Sequence, residues 1–81
     1  MALNEKAIGN RVEELRANTP AYYLKQKKYL TKEKLASLLY LDIEQYNERI
    51  KGKTPFSIKS ISIIAELYQV SANYLLFGGV K

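Results

Sequence analysis

The chain contains no cysteine and no histidine. Without cysteine there is no disulfide framework, no thiolate nucleophile and no thiolate metal site. Without histidine the commonest general base and the commonest metal ligand are missing as well. Long apolar runs are also lacking: none approaches the roughly 20 residues a membrane-spanning helix needs. The opening stretch MALNEKAIGNR carries charges where a signal peptide needs its apolar segment. These absences lead us to expect a cytoplasmic protein with no membrane association.

The remaining inventory offers little for catalysis. Glu13 and Glu14 are adjacent on an expected helix and point apart, so they make no acid/base pair. Ser57, Ser60, Ser62 and Ser71 have no imidazole to activate them. Gly78-Gly79 closes the last expected helix and is not a phosphate loop. No catalytic residue, cofactor or metal site is expected, and neither is an enzyme.

What is present is one small domain's worth of chain, 81 residues with 47% hydrophobic content. Lys and Arg number 13 against 8 acids, a net charge of +5. The excess is uneven. Ala21 to Lys34 holds Lys25, Lys27, Lys28, Lys32 and Lys34 against Glu33 alone, whereas Leu35 to Ile50 sets Arg49 against Asp42, Glu44 and Glu48. A basic excess draws polyanions through phosphate contacts and counterion release.

Apolar periodicity organises the chain into helices. Asn4 to Asn18, capped by Asn4, places Leu3, Ala7, Ile8, Val12 and Leu15 on one face, with Glu5, Lys6, Glu13 and Glu14 on the rest, toward solvent. Thr19-Pro20 breaks it, because proline disfavours helix before itself yet suits a first turn. A helix from Pro20 to about Lys28, capped by Thr19, is expected next; one long kinked helix is the competing reading. The central stretch is Leu30 to Gly52, with two short helices capped by Thr31 and Asp42. Only Tyr40, Leu41 and Asp42 separate them, which fits a helix-turn-helix. Ala36 is small enough for the two helices to cross closely, and Leu41 plugs the wedge between them. Ile43, Tyr46 and Ile50 lie at i, i+3 and i+7 on one stripe of the second helix, with Glu44, Gln45, Asn47, Glu48 and Lys51 left outward. Ser57 caps a helix to about Tyr68 with Ile58, Ile61, Ile64, Ala65 and Tyr68 inward, and Ser71 caps a short last helix ending at Gly78. Tyr23, Tyr46, Tyr68 and Tyr74 fall on inward faces, so core packing explains them better than base stacking.

From about Leu24 to Gly78 the chain resembles the phage-repressor and Cro family, the lambda-repressor-like helix-turn-helix domains. LKQKKYLTKEKLASLLYL resembles the family's leucine-rich motif, with Leu30, Leu35, Ala36, Leu39 and Leu41 at its core positions. IKGKTPFS resembles the loop after its recognition helix, and IIAELYQVSANYLLFG its ending. Lys32 stands where a glutamine is frequent, Tyr40 where the turn glycine is usual, and Arg49 where a second apolar residue is usual. Asn4 to Asn18 is either an added helix or the family's own first helix, with Ala21 to Tyr29 then an insertion.

The resemblance implies an all-α domain of five or six helices with an extra N-terminal helix over 1–19. The DNA-binding domain would span 20–81, its motif over 31–52 and its C-terminal helices over 57–68 and 71–78. It implies a homodimeric transcriptional regulator that binds double-stranded DNA with helix 43–51 in the major groove. Base contacts would come from Ile43, Glu44, Gln45, Asn47 and Glu48, and phosphate contacts from Lys28, Lys32, Lys51 and Lys53. Tyr74, Leu76, Phe77 and Val80 would form the dimer surface. Glu44 and Glu48 would face phosphates, so the rival expectation is a protein-interaction module that turns this acidic helix toward a partner protein.

Overall fold

The chain runs through a 14-residue helix α1 (Glu5–Asn18), a hairpin of strands β1 (Ala21–Tyr23) and β2 (Gln26–Lys28), and helices α2 (Lys32–Leu38), α3 (Ile43–Ile50), α4 (Ile58–Tyr68) and α5 (Ala72–Phe77). The structure is a computed structural model and describes residues 3–80. Residues 1, 2 and 81 of the expected segments lie outside the described residues. Mostly helical, with one small two-stranded sheet among the described residues, it is not all-α as expected.

Each helix starts where a side chain satisfies its first amides. Asn4, Thr31, Asp42, Ser57 and Ser71 accept from the amides of Ala7, Lys34, Gln45, Ser60 and Tyr74. One core gathers Ile8, Val12 and Leu15 of α1 with Leu35 and Ala36 of α2, Tyr46 of α3, Ile61 and Ile64 of α4, and Leu75 of α5. Ala36 is buried as expected, and Leu41 packs half-buried against the core.

The expected helix from Pro20 to Lys28 is a hairpin instead, and neither that helix nor the long kinked one forms. Ala21 pairs with Lys28, Tyr22 with Lys27 and Tyr23 with Gln26. Burial alternates along β1: Ala21 is buried, Tyr22 exposed and Tyr23 half-buried. That is the period of a strand, with two aromatics suited to it. A helix would set Lys25 and Lys28 at i, i+3, a repulsive pair. The turn residues Leu24 and Lys25 both have positive φ, 51° and 63°, as a type I′ turn requires.

Two other expectations need correction. Ile58 is 86% exposed rather than inward. It is the first residue of α4, and the core's edge falls at Ile61, one turn later. Glu13, placed on the solvent side of α1, is half-buried and bonded to three elements of the fold, as described below.

Tyr40 occupies the left-handed region with φ 62°. The Leu41 amide donates to the Ala36 carbonyl and the Tyr40 amide to that of Ser37, at 2.9 and 3.1 Å. This is the glycine-type helix ending built with a tyrosine. The ring is 80% exposed, and the Lys59 ammonium lies 5.3 Å from its centre.

Candidate nucleic-acid interface

Helix α3 is fixed at its start, its back and its end. At the start, Asp42 accepts from the Gln45 amide at 2.8 Å while Gln45 Oε1 accepts from the Asp42 amide at 3.0 Å. This reciprocal capping box satisfies two otherwise orphaned donors. At the back, Tyr46 is fully buried and its ring meets that of Phe56 edge-on, centroids 6.4 Å apart. At the end, α3 lies directly on α1: a Cβ at Gly9 would collide with the Ile50 carbonyl. Gly52, with φ 80°, turns the chain so closely past Lys6 that a Cβ there would lie 2.8 Å from its Cα.

A polar network braces this packing. The Tyr46 hydroxyl donates to Glu13 at 2.5 Å. The Arg16 guanidinium donates to both Glu13 oxygens at 3.0 and 3.2 Å and to the Leu30 carbonyl at 3.1 Å. Lys32 Nζ lies 3.7 Å from the same carboxylate. Burial pushes the Glu13 carboxyl up, but the bonds from Arg16 and Tyr46 and the charges of Arg16 and Lys32 outweigh it, and the net displacement is downward. The hydrogen bond to Glu13 raises the Arg16 guanidinium further. Burial first, then donation to Glu13, pushes the Tyr46 phenol strongly up. Sequence reasoning missed this network; the i, i+3 spacing of Glu13 and Arg16 is its only trace there. It also missed the bond from Arg11 to the Leu75 carbonyl, 2.9 Å, which ties α1 to the end of α5.

The opposite face of α3 is open. Ile43, Glu44, Gln45 and Glu48 are exposed and Asn47 is half-buried. Glu44, Asn47 and Glu48 line a shallow hollow of about 250 Å³ together with Lys51 and Lys53, so both carboxylates share that surface with two cations. Gln45 has its side-chain oxygen engaged in the capping box, which leaves its NH₂ as the group directed to any ligand.

The expected phosphate-binding lysines divide. Lys51 and Lys53 are exposed at the end of α3. Lys32 is half-buried and paired with Glu13, so its charge is already offset. Lys28 is exposed on β2, its ammonium 5.6 Å from the centre of the Tyr23 ring. Of the expected dimer residues, Tyr74 is buried within the protomer and Leu76 is half-buried, while Phe77 and Val80 are exposed. Leu76 lines an apolar groove of about 360 Å³ with Leu3, Phe56, Ile58 and Ile61.

Among the described residues there is no cluster of carboxylates able to hold a metal ion, and no helix long and apolar enough to cross a membrane. Compared with known families, residues 6–81 match the BetR domain. The chain belongs to the BetR domain family. No curated protein and no solved structure matches it. The match takes in α1 from its second residue and the hairpin together with the α2–α3 unit, so in this BetR domain the five helices and the sheet among the described residues fall within it, apart from Glu5.

Proposed function

We propose that this BetR domain binds double-stranded DNA in a sequence-specific way, as a transcriptional regulator of the Cro and repressor type. The observation that carries the proposal is the asymmetry of α3: a fully buried back at Tyr46 and an open polar face at Glu44, Gln45 and Glu48. A helix held in this way and preceded by a four-residue connection from α2 is suited to the major groove. On this reading α1, which packs on α3, is the first helix of a lambda-repressor-like domain and the hairpin is an insertion after it. Gln45 and Asn47 read base edges, with Ile43 beside a thymine methyl and Glu44 accepting from cytosine. Lys51 and Lys53 hold phosphates, which position the domain. Two copies joined through Leu76, Phe77 and Val80 would place two such helices on successive half-sites.

Selection from random duplexes followed by titration at several salt concentrations tests this. Affinity is expected to fall steeply with salt, and Gln45→Ala to relax preference at one base. Absence of binding to every duplex at low salt overturns it.

The exposed pair Glu44 and Glu48 favours a second reading, in which α3 meets a basic surface on a partner protein. That reading predicts a stoichiometric protein complex weakened by replacing either glutamate, and no duplex binding.

A further inference from the structure

The hairpin between α1 and α2 has a composition that folding does not require. Strand β2 is exposed along its whole length, Gln26 to Lys28. Lys25, Lys27 and Lys28 fall within four residues of one another, and Glu33 is the one carboxylate between Thr19 and Leu41. Lys34, in the first turn of α2, brings its ammonium to 5.1 Å from the centre of the Tyr23 ring, and Lys28 comes to 5.6 Å from the same ring. The hairpin therefore lies against the start of α2, and two ammonium groups share one aromatic ring. Among the described residues no carboxylate forms an ion pair with Lys25, Lys27, Lys28 or Lys34. Glu13, which could have served, is occupied by Arg16 and Lys32.

A solvated lysine face explains charge but not the tip. Leu24 is 74% exposed and, like Lys25, is held at positive φ. A turn of this type is made at lower cost by asparagine and glycine, so the leucine and lysine there are not explained by turn formation. Strain in an exposed segment is a pointer to function.

We propose that the β1–β2 hairpin is a second contact for duplex DNA, in which Lys25, Lys27 and Lys28 hold the phosphate backbone flanking the site read by α3. Charge complementarity selects the ligand: an unpaired cationic ribbon with a protruding tip matches a phosphodiester chain. The proposal rests on α3 meeting duplex DNA, but it makes separate demands. It supplies affinity without base preference, because phosphate contacts carry no sequence information.

The test compares the full chain with a variant carrying Lys25→Gln, Lys27→Gln and Lys28→Gln, and with one carrying arginine at the same three positions. Duplex affinity is followed by fluorescence anisotropy across a salt series. Removing one phosphate-bound cation lowers the salt slope by about 0.9, so the glutamine variant should lose about 2–3 from the slope and more than tenfold in affinity near 0.1 M salt. Base preference should be unchanged, and the arginine variant should keep the slope. A glutamine variant with the parent slope and preference overturns the hairpin contact and leaves the α3 reading standing. Binding without base preference that the lysine replacements abolish upholds the hairpin and removes the α3 reading. Tighter binding to single strands or to phosphatidylserine vesicles than to any duplex overturns the proposal. Since the chain has no cysteine, Leu24→Cys can carry a DNA-cleaving chelate as a second measurement. Cleavage beside the selected site is expected; cleavage absent while the duplex is bound overturns the contact.

Discussion

The Tyr46 hydroxyl and the Glu13 carboxylate, 33 residues apart in sequence, form a 2.5 Å hydrogen bond between the back of α3 and the middle of α1. Arg16 and Lys32 meet the same carboxylate, so one side chain ties together α1, the start of α2 and the helix proposed to read DNA. A buried phenol with a charged acceptor is worth more than a neutral hydrogen bond, and the partner left behind is costly. Tyr46→Phe keeps the ring in the core and removes only the donor. It should lower stability by about 1–3 kcal/mol, read from the midpoint of urea unfolding.

Glu13 also predicts the acid response. Its carboxyl is lower in the folded chain than in the unfolded one. The unfolded state therefore binds the proton first, and stability rises with pH through that window. The contribution is fully present above the unfolded value, about 4.3 for glutamate, and is lost as pH falls through the folded value. Glu13→Gln should flatten this acid limb while lowering stability at neutral pH. Unfolding curves between acid and neutral pH check it; an unchanged acid limb in the variant would assign the titration elsewhere.

Gly9 is the closest approach of α1 to α3. On helix propensity alone alanine would gain about 1 kcal/mol over glycine. Here the added Cβ meets the Ile50 carbonyl, which is backbone and cannot swing aside. Overpacking of this kind typically costs about 1–3 kcal/mol, and a contact this close to backbone falls toward the upper end, so the sign reverses and Gly9→Ala should be destabilising by up to about 2 kcal/mol. It should also weaken duplex binding more than its stability loss explains, because α3 must shift. Thermal unfolding and anisotropy together separate the two effects.

The caps show why much of this fold could be read from sequence. A cap is a local interaction, settled by a side chain and an amide three residues on, and five of the six expected caps form; the exception is Thr19, which ends α1 instead of starting a helix. The hairpin could not be read in the same way. Its strands have three residues each, too few to establish a period, and its turn lacks the asparagine or glycine that announces one. Ile58 failed for a different reason: periodicity gives the face of a helix but not where along it the core stops. The Glu13 network is a meeting of α1, α2 and α3, which only tertiary packing brings about. At the candidate site the Ile43, Tyr46, Ile50 spacing located the buried Tyr46 and the half-buried Ile50, but Ile43 is exposed, and the engagement of Gln45 in its own cap did not follow from it.

The turn Leu24-Lys25 should be improvable. Both residues sit at positive φ, which costs a side-chain-bearing residue roughly 1–2 kcal/mol relative to glycine. Leu24→Asn with Lys25→Gly supplies the preferred pair for this turn, and should raise stability by about 1–2 kcal/mol. If the hairpin holds phosphates, the same variant binds duplex DNA less tightly despite being more stable. Opposite movement of the two readouts is the expected result.

Tyr68 has a buried hydroxyl with no hydrogen-bond partner among the described residues, and burial pushes its phenol up to about 12. An unsatisfied buried hydroxyl carries its desolvation penalty with no return, so Tyr68→Phe should be neutral or stabilising by about 1 kcal/mol. The alkaline limb should respond as well. A phenol raised in the folded state contributes stability that is complete below its unfolded value, about 10, and is lost as pH rises from there toward 12. The phenylalanine variant lacks that part of the loss, which alkaline unfolding of the two proteins measures.

Glu44 and Glu48 decide between the two readings of α3. Both are exposed, in a hollow they share with Lys51 and Lys53. Against a duplex they repel phosphates and penalise every sequence except one that offers a base amine to Glu44, which is selectivity by repulsion. Glu44→Gln with Glu48→Gln should therefore raise affinity for unselected duplexes by about tenfold at low salt. Affinity for the selected site should rise less or fall, which compresses the ratio between them. If α3 instead meets a basic protein surface, the same variant gains no preference among duplexes and loses its protein partner. Titrating selected and random duplexes side by side distinguishes the outcomes, because only a DNA-reading helix couples higher general affinity to lower discrimination.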